Sequence, residues 1–538
     1  MPAPPDDMRA LKLEKVSLRD INIWKFPLRS TIRVLVVVDT EIDIDESPGA
    51  FGVGRVIRLL RETTIGCTRF SVDVASRDKQ PFSDQGAGGA GTIRYPGFRF
   101  DSVAAGQLVI DRYHEILMFG FKPDNSGGAD SRIDDGSLPG VVPMLANEQD
   151  AITVWMNAGG GIFATGDHDY LGATMCHHIP RVRSMRRWTN ADGVPTIGGT
   201  TRIDTNQPFT AAEQAGTAVI GFDNQGDSKP QPIDWVPVVS YRLGLVRYKQ
   251  PHEVLCHPTR GPINVMPDHP HEGLCVPTAE IEADPVRRAE FPGAELPKII
   301  AYGDNTPDPP LQHDKGNVPP LHFPMISAYD GRNDSVGRIV VDSTWHHWLD
   351  LNIFDIEAAG GANWDKIARY YINVAKWIAP PGVYHAKCWW EIILAHFEPV
   401  ALEEFHREAT VHELGSVLHK IIGLRHGPCT ISEWVFDWIC EFHPQICKGL
   451  TERFRLPEPK GCLTCPPFEL IEQVVLGGMV EGTRDLADKI RSLVEVGEPI
   501  ELDVETIADA ANRGASQALE AFAKQVVTSA RAVQRIFA

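Results

Sequence analysis

The sequence contains no uninterrupted apolar run of about 18 residues, which is what a membrane-spanning helix requires. Its opening, Met1-Pro-Ala-Pro-Pro-Asp-Asp7, lacks the basic and apolar stretches of a signal peptide. A cytoplasmic protein with no membrane partner is therefore expected. Basic residues are in deficit, 52 Lys and Arg against 71 Asp and Glu, for a formal net charge of −19. That balance argues against nonspecific nucleic-acid binding, because phosphate contacts need a basic surface. The one local exception is the patch Arg181, Arg183, Arg186 and Arg187. There is no P-loop, and no G-x-G-x-x-G follows the first apolar run, so neither an NTPase nor a dinucleotide enzyme is indicated and no nucleotide cofactor is expected. His412-Glu413 lacks a second histidine at the spacing of the helical zinc-protease motif, the next being His419. Cysteine is thin, 10 in 538 residues, and its scatter suits reduced thiols. No internal repeat or low-complexity tract is present.

What remains is an ordinary globular composition, 43% hydrophobic and 23% charged, on a chain too long for one compact core. Ile32 to Val38 is a nearly continuous apolar run, as in a central parallel strand buried on two faces. A helical pattern follows with Val53, Val56, Ile57 and Leu60 in phase, and Phe70 to Ala75 reads as a second strand. Glu115 to Phe121 is a third strand. Asn147 to Asn157 is a helix, and Ile162 to Thr165 is a fourth strand. This alternation predicts a doubly wound α/β parallel sheet. Further strands are expected at Lys298–Tyr302, Pro324–Tyr329 and Arg338–Asp342, and a helix at Asn363–Ile378. Residues 1–30 read as an N-terminal arm. Residues 31–380 read as the α/β domain, with a Pro-, Gly- and Thr-rich insertion over 179–260 lying across the site. After Pro380-Pro381-Gly382 the patterns are helical alone, and 381–538 reads as a separate domain. Its last helix, Ile507 to Phe537, carries Ala511, Ala515, Ala518 and Phe522 in phase. An apolar face of this kind needs a partner, either the helix around Leu470–Val480 or another subunit, so a homo-oligomer is expected.

Chemistry-bearing residues gather where such a sheet places the carboxyl ends of its strands, the usual crevice of open α/β folds. Asp39 and Glu41 end the first strand. Gly166 permits the sharp strand-to-helix turn that would raise Asp167, His168 and Asp169 above the sheet. His346 and His347 follow the last strand. Val265-Met-Pro-Asp-His-Pro-His-Glu-Gly273 packs Asp268, His269, His271 and Glu272 into one loop stiffened by proline. Rigid imidazoles and carboxylates suit Zn, Fe or Mn better than Mg or Ca. The expected catalytic residues are Asp167, His168 and His346. The expected metal ligands are Asp268, His269, His271, Glu272 and His347. In the helical region, Cys440-x2-His443-x3-Cys447 with Cys462-x2-Cys465 allows a structural zinc site, although buried free thiols are the expectation.

The early strand ending in acid, the stretch Gly159-Gly-Gly-Ile-Phe-Ala-Thr-Gly-Asp-His168, and Gly337-Arg-Ile-Val-Val-Asp-Ser-Thr-Trp-His346 together resemble the class I glutamine amidotransferase-like superfamily. The likeness is greatest to its trehalose-utilisation-protein-like branch and covers residues 31–380. It implies a flavodoxin-like sheet, puts the nucleophile elbow near Asp167 and His168, and puts His346 where glutaminases keep their catalytic histidine. The elbow cysteine is missing, Asp and His standing in its place, and Cys176 lies too far along to replace it. A thiolate acyl-enzyme is therefore not expected. Two functions follow. One is a metal-assisted or acid–base hydrolase acting on a polar small molecule, a sugar or an amide. The other is a non-catalytic amidotransferase-like scaffold whose helical C-terminal region mediates oligomerisation or partner binding.

Overall fold

The structure, a computed structural model, describes residues 30–39, 42–47, 51–65, 68–78, 80–87, 89, 91–120, 144–165, 175–187, 230–243, 246–267, 274–304, 322–380, 383, 389, 391–393, 395–397, 409–454, 468–496 and 504–537. Seven strands carry the architecture: β1 (Ser30–Asp39), β2 (Thr68–Arg77), β3 (Glu115–Phe119), β4 (Gly161–Ala164), β5 (Lys298–Asp304), β6 (His322–Tyr329) and β7 (Ile339–Asp342). With two-residue edges at Thr64–Ile65 and Asp234–Trp235 they form a 9-stranded sheet. Its order is Asp234–Trp235, β5, β6, β7, β4, β3, β1, β2, Thr64–Ile65.

The strands β2, β1, β3, β4 and β7 run parallel. The expectation of a wholly parallel sheet is corrected on one side, where β5 and β6 run antiparallel to each other and β6 antiparallel to β7. The reason is chain length. Between β6 and β7 lies only the stretch 330–338, with one 3-10 turn at Arg332–Asp334. A parallel crossover needs about a dozen residues or more. The insertion is also partly built into this sheet, since Asp234–Trp235 pairs with β5.

Alternation along β1 explains the two layers. Ile32, Val34, Val36 and Val38 pack on one face with helices α1 (Gly54–Glu62), α3 (Asp350–Ala359) and α4 (Gly361–Ile378). Leu35 and Val37 pack on the other with α2 (Ala146–Asn157), through Ile152, Trp155 and Met156. The glycines before β4 serve this packing, because a Cβ on Gly161 would collide with the carbonyl oxygen of Ile378 at the end of α4. Arg338, buried, closes the same end: its Nη1 donates to Trp377 O at 2.8 Å, and its guanidinium lies over the Trp377 ring. A cation at the last carbonyls of a helix complements the helix dipole.

The C-terminal region is helical: α5 (Val411–His426), α6 (Pro428–Phe442), α7 (Pro444–Phe454), α8 (Phe468–Gly482), α9 (Arg484–Val496) and α10 (Val504–Phe537). These helices share a third apolar core, with Leu418, Trp434, Val475, Met479 and Ala515 among its buried members. Gly514 of α10 lies so close to α8 that a Cβ there would strike the carbonyl oxygen of Gly478. Among the described residues, no helix is long and apolar enough to cross a membrane.

The cysteine expectation is overturned in part. Cys440 and Cys447 form a disulfide, with Cα atoms 4.7 Å apart. The two thiols lie on either side of the break between α6 and α7 at His443. His443 is no zinc ligand with them, because its Nε2 meets Ser516 Oγ at 3.1 Å. Cys462 and Cys465 lie outside the described residues. Disulfides are rare in the cytosol, so this bond runs against the reduced-thiol reading of the sequence.

The helical region docks on the α/β layer through buried charge. Lys376 of α4 pairs with Glu253 at 2.9 Å, each side chain 1% exposed. Thr430 of α6 donates to Glu253 Oε1 at 2.6 Å and accepts from Lys376 Nζ at 2.8 Å. Arg369 Nη1 and Nη2 reach the last carbonyls of α5, Arg425 O and His426 O, each at 3.1 Å. Breaking a buried ion pair from one side costs on the order of 3–5 kcal/mol, because the remaining charge loses its partner. Lys376→Met is therefore expected to lower urea-unfolding stability by about that amount, and the double variant Glu253→Gln/Lys376→Met to recover most of it. A loss below about 1 kcal/mol in the single variant would contradict this account of the docking.

Candidate active site

Strands β4 and β7 lie side by side in register, Ile162 opposite Ile339 and Ala164 opposite Val341. Their carboxyl ends therefore open on one edge of the sheet, together with those of β3 and β1. The segment leaving β7, from Asp342 to Asp350, is buried throughout.

Asp342 is 0% exposed and is met by four donors. Thr344 N reaches Oδ1 at 3.3 Å, Trp348 Nε1 reaches Oδ2 at 3.3 Å, and Tyr370 OH reaches Oδ2 at 2.9 Å. His347 Nδ1 stands 3.0 Å from Oδ1 and 2.8 Å from Oδ2. An ionised carboxylate only accepts, so Nδ1 of His347 must carry the hydrogen. The lone pair of the neutral ring then sits on Nε2. That atom is buried and has no hydrogen-bond partner among the described residues.

The backbone of His347 and its neighbour Trp348 are held in place. Tyr371 OH donates to the backbone oxygen of His347 at 2.5 Å. Trp348 packs against Phe163 at 4.0 Å between ring centroids, and against Phe119, Tyr370 and Tyr371. Burial first, and then the Asp342 charge, push the Tyr370 hydroxyl well above its ordinary range. Tyr370 therefore stays a neutral donor.

His346 has the opposite arrangement. Its Nδ1 lies 3.2 Å from Asn352 Nδ2, an amide that can only donate, so this nitrogen accepts. The ring stacks on Trp345 at 3.8 Å, and Trp345 packs on Phe51 in the loop before α1. Two adjacent histidines thus use Nδ1 in opposite roles, His347 donating through it and His346 accepting.

Asp350 opens α3. Its backbone N–H donates to Gly52 O at 2.7 Å, and its Oδ1 accepts from Arg55 N at 3.0 Å. Its Oδ2 is buried with no hydrogen-bond partner among the described residues. Burial is the main reason that its carboxyl is pushed up from 3.8 to about 7, against the Arg55 hydrogen bond and with help from Glu46 and Asp43.

Of the residues expected from the sequence, His346 and His347 are placed at this edge. Asp39 ends β1 at the same edge by its backbone. Asp167, His168, Asp268, His269, His271, Glu272 and Glu41 lie outside the described residues. Among the described residues, no group of three or more His, Cys, Asp or Glu is placed to hold a metal ion. Asp342, Tyr370 and Asp350 were not singled out as site residues. The acid ending β7 repeats the pattern of Asp39 ending β1 and was the available signal. Tyr370 read as part of the apolar stripe of α4, and its hydroxyl gave no periodic trace.

The arginine patch is not a free basic surface. Arg181 N and Arg183 Nε are bound by Glu290, Arg187 pairs with Glu280, and Arg186 is wholly buried with Nη2 on Ser343 O at 2.7 Å. Arg186 therefore holds the backbone one residue after Asp342. Cys176 and Cys275 are buried, and burial pushes the Cys275 thiol far up, so it is no nucleophile. Compared with known proteins, the chain matches no family model, no curated protein and no solved structure.

The Asp350 carboxyl gives a pH prediction. The folded state keeps a proton that the unfolded chain releases near 3.8, so its contribution to stability falls as pH rises from about 4 through about 7. Asp350→Asn removes that loss. Relative to wild type, the variant should gain up to about 4 kcal/mol between pH 4 and pH 8 in denaturant unfolding. A difference between the two proteins that does not change with pH would show that Asp350 ionises normally.

Proposed function

We propose that the chain is a hydrolase acting on a polar small molecule, a sugar or an amide, at the carboxyl end of its parallel strands. The observation that carries this reading is His347. It is a fully buried imidazole whose Nδ1–H is clasped by Asp342 and whose Nε2 has no partner among the described residues. A buried polar atom left unpaired costs about 1–3 kcal/mol and calls for an explanation. A base awaiting a proton from substrate or water supplies one. Asp342 then orients the ring and stabilises the imidazolium formed as the proton arrives, the role of the carboxylate in Ser-His-Asp sites. Asp350, half protonated near neutrality, is the proton donor to the leaving group, so that base and acid come from one segment.

The order of the parallel strands, second, first, third, fourth, fifth along the chain, supports a flavodoxin-like sheet and with it the amidotransferase-like resemblance over residues 31–380. The division at Pro380 into an α/β domain and a helical domain belongs to the same reading. An imidazole that gives its Nδ1–H to a carboxylate is also how proteins hold metal-ligating histidines. His347 would thus fit a Zn, Fe or Mn ion completed by Asp268, His269, His271 and Glu272. Such an ion lowers the pKa of bound water toward neutrality.

The test is hydrolysis of a panel of chromogenic amides, glycosides and esters between pH 6 and 9, alongside elemental analysis of protein purified without added metal. Removal of a general base typically costs 10²–10⁴-fold. His347→Gln is expected to lose about that much turnover, with wild-type circular dichroism. Undiminished turnover in His347→Gln, or none by wild type on any panel member, contradicts the proposal. One equivalent of metal that is lost in His269→Ala/His271→Ala selects the metal-assisted form.

A further inference from the structure

Arg181 is a cation taken out of water without a carboxylate to answer it. It is 6% exposed, and its guanidinium forms no ion pair among the described residues. Its Nε donates to the backbone oxygen of Glu290 at 3.1 Å and its Nη2 to Asn157 Oδ1. Its Nη1 is buried with no partner among the described residues. The nearby Glu290 carboxylate is spent elsewhere, on Arg181 N at 2.6 Å, Ser184 Oγ at 2.7 Å and Arg183 Nε at 2.5 Å. One carboxylate thus stands against two guanidinium groups. A buried charge without a counter-charge is costly, and so is a buried donor with nothing to donate to. The backbone is strained at the same residue. Arg181 has φ 69°, in the left-handed region that residues other than glycine rarely adopt and that is over-represented at ligand sites.

Tyr329 has the matching lack. It is 0% exposed, and its hydroxyl is buried with no partner among the described residues. Arg181 and Tyr329 are each other's strongest titratable neighbour, ahead of Glu290 for Arg181 and of Asp334, Asp330 and Glu295 for Tyr329. Yet they do not bond to each other, so an N–H and an O–H in one place both lack an acceptor. Phe291, the residue after Glu290, meets the Tyr329 ring edge-on at 4.9 Å and gives the place an apolar wall. All this lies at the amino end of the parallel strands. Tyr329 ends β6 opposite Ile339, the first residue of β7, and Asn157 ends α2 shortly before β4. Asp342 and His347 belong to the other end of the same sheet.

We propose that Arg181 and Tyr329 bind the carboxylate of a small organic acid at the amino end of the parallel strands, apart from the hydrolytic edge. A carboxylate only accepts, and its two oxygens take the Arg181 Nη1–H and the Tyr329 O–H while its charge offsets the guanidinium. One negative charge is what the surroundings admit. Asp334 and Glu295 act on Tyr329 and Glu290 acts on Arg181, so a dianion such as phosphate meets repulsion that a carboxylate does not. Both donors are buried, which suits a small molecule and not the flank of a protein. The site does not depend on the hydrolytic reading.

Saturation-transfer NMR on the methyl protons of acetate and propionate, added to the full chain at pH 7.5, tests it. Wild type is expected to show saturable transfer with dissociation in the millimolar range. Tyr329→Phe removes one oxygen and keeps the ring, so it folds as wild type does, and it should bind at least about 10-fold more weakly, the usual loss of a hydrogen bond to a charged group. Arg181→Gln should show no saturable transfer. His347→Gln should bind as wild type does, and phosphate at equal concentration should not displace the acid. No saturable transfer up to about 50 mM acid in wild type overturns the proposal. So does undiminished binding by Tyr329→Phe, or binding that His347→Gln abolishes, which would move the acid to the other edge. Displacement by phosphate as effective as by a second carboxylate overturns the choice of ligand.

Discussion

A carboxylate stays ionised inside a protein only where donors replace the water it has lost. Asp342 meets that condition with donors from four residues, and satisfying it dictates much of what surrounds it. The chain must turn tightly after β7 to bring Thr344 N, His347 and Trp348 back onto one side chain. Helix α4 must lie across the sheet at a height that delivers the Tyr370 hydroxyl. The aromatic wall of Trp348, Phe119 and Phe163 follows, because the indole that donates its Nε1–H has to rest its ring on the ends of β3 and β4. His347 is then held with one nitrogen used and the other without a partner among the described residues. The proposed base is the remainder left when every other demand on the segment has been met.

The same economy of buried polar groups joins the two halves of the chain. Helix α4 faces the sheet with Tyr370, Tyr371 and Val374, and it meets the helical region with Arg369 and Lys376. Asn373 stands between them, its amide donating to the carbonyls of Glu253, Val254 and Cys256. One helix thus supports the Asp342 cluster on one side and carries the dock on the other. Lys376, which carries the Glu253 pair, lies six residues after Tyr370 on α4.

Much of this was legible in the sequence. The apolar run Ile32–Val38, the alternation through Phe70–Ala75 and the stripe on Asn363–Ile378 appear as β1, β2 and α4, because buried strands and amphipathic helices each impose a period on the chain. The strand direction of β5 and β6 was not read, although the short connection 330–338 carried it. Helix α3 was missed because its residues, Asp-Leu-Asn-Ile-Phe-Asp, mix buried and polar groups with no clear stripe. The glycines before β4 were read as part of the stretch that resembles the amidotransferase-like superfamily, and Gly161 is a place where α4 comes too near for any side chain. Two thiols seven residues apart gave no sign of a disulfide, since the turn that joins them lies in the break between two helices. His346 and His347 drew notice as a pair, but the difference between them is one of partner, Asn352 against Asp342. No spacing rule reveals that.

The state of the His347 ring is the point on which the account turns. Imidazole ¹⁵N NMR of the full chain near pH 8, with the resonances assigned by their absence in His347→Gln, reads it directly. The account predicts a single tautomer with the proton on Nδ1, held by Asp342, and a bare Nε2. A protonated Nε2, or the averaged tautomers of a freely exchanging histidine, would contradict it.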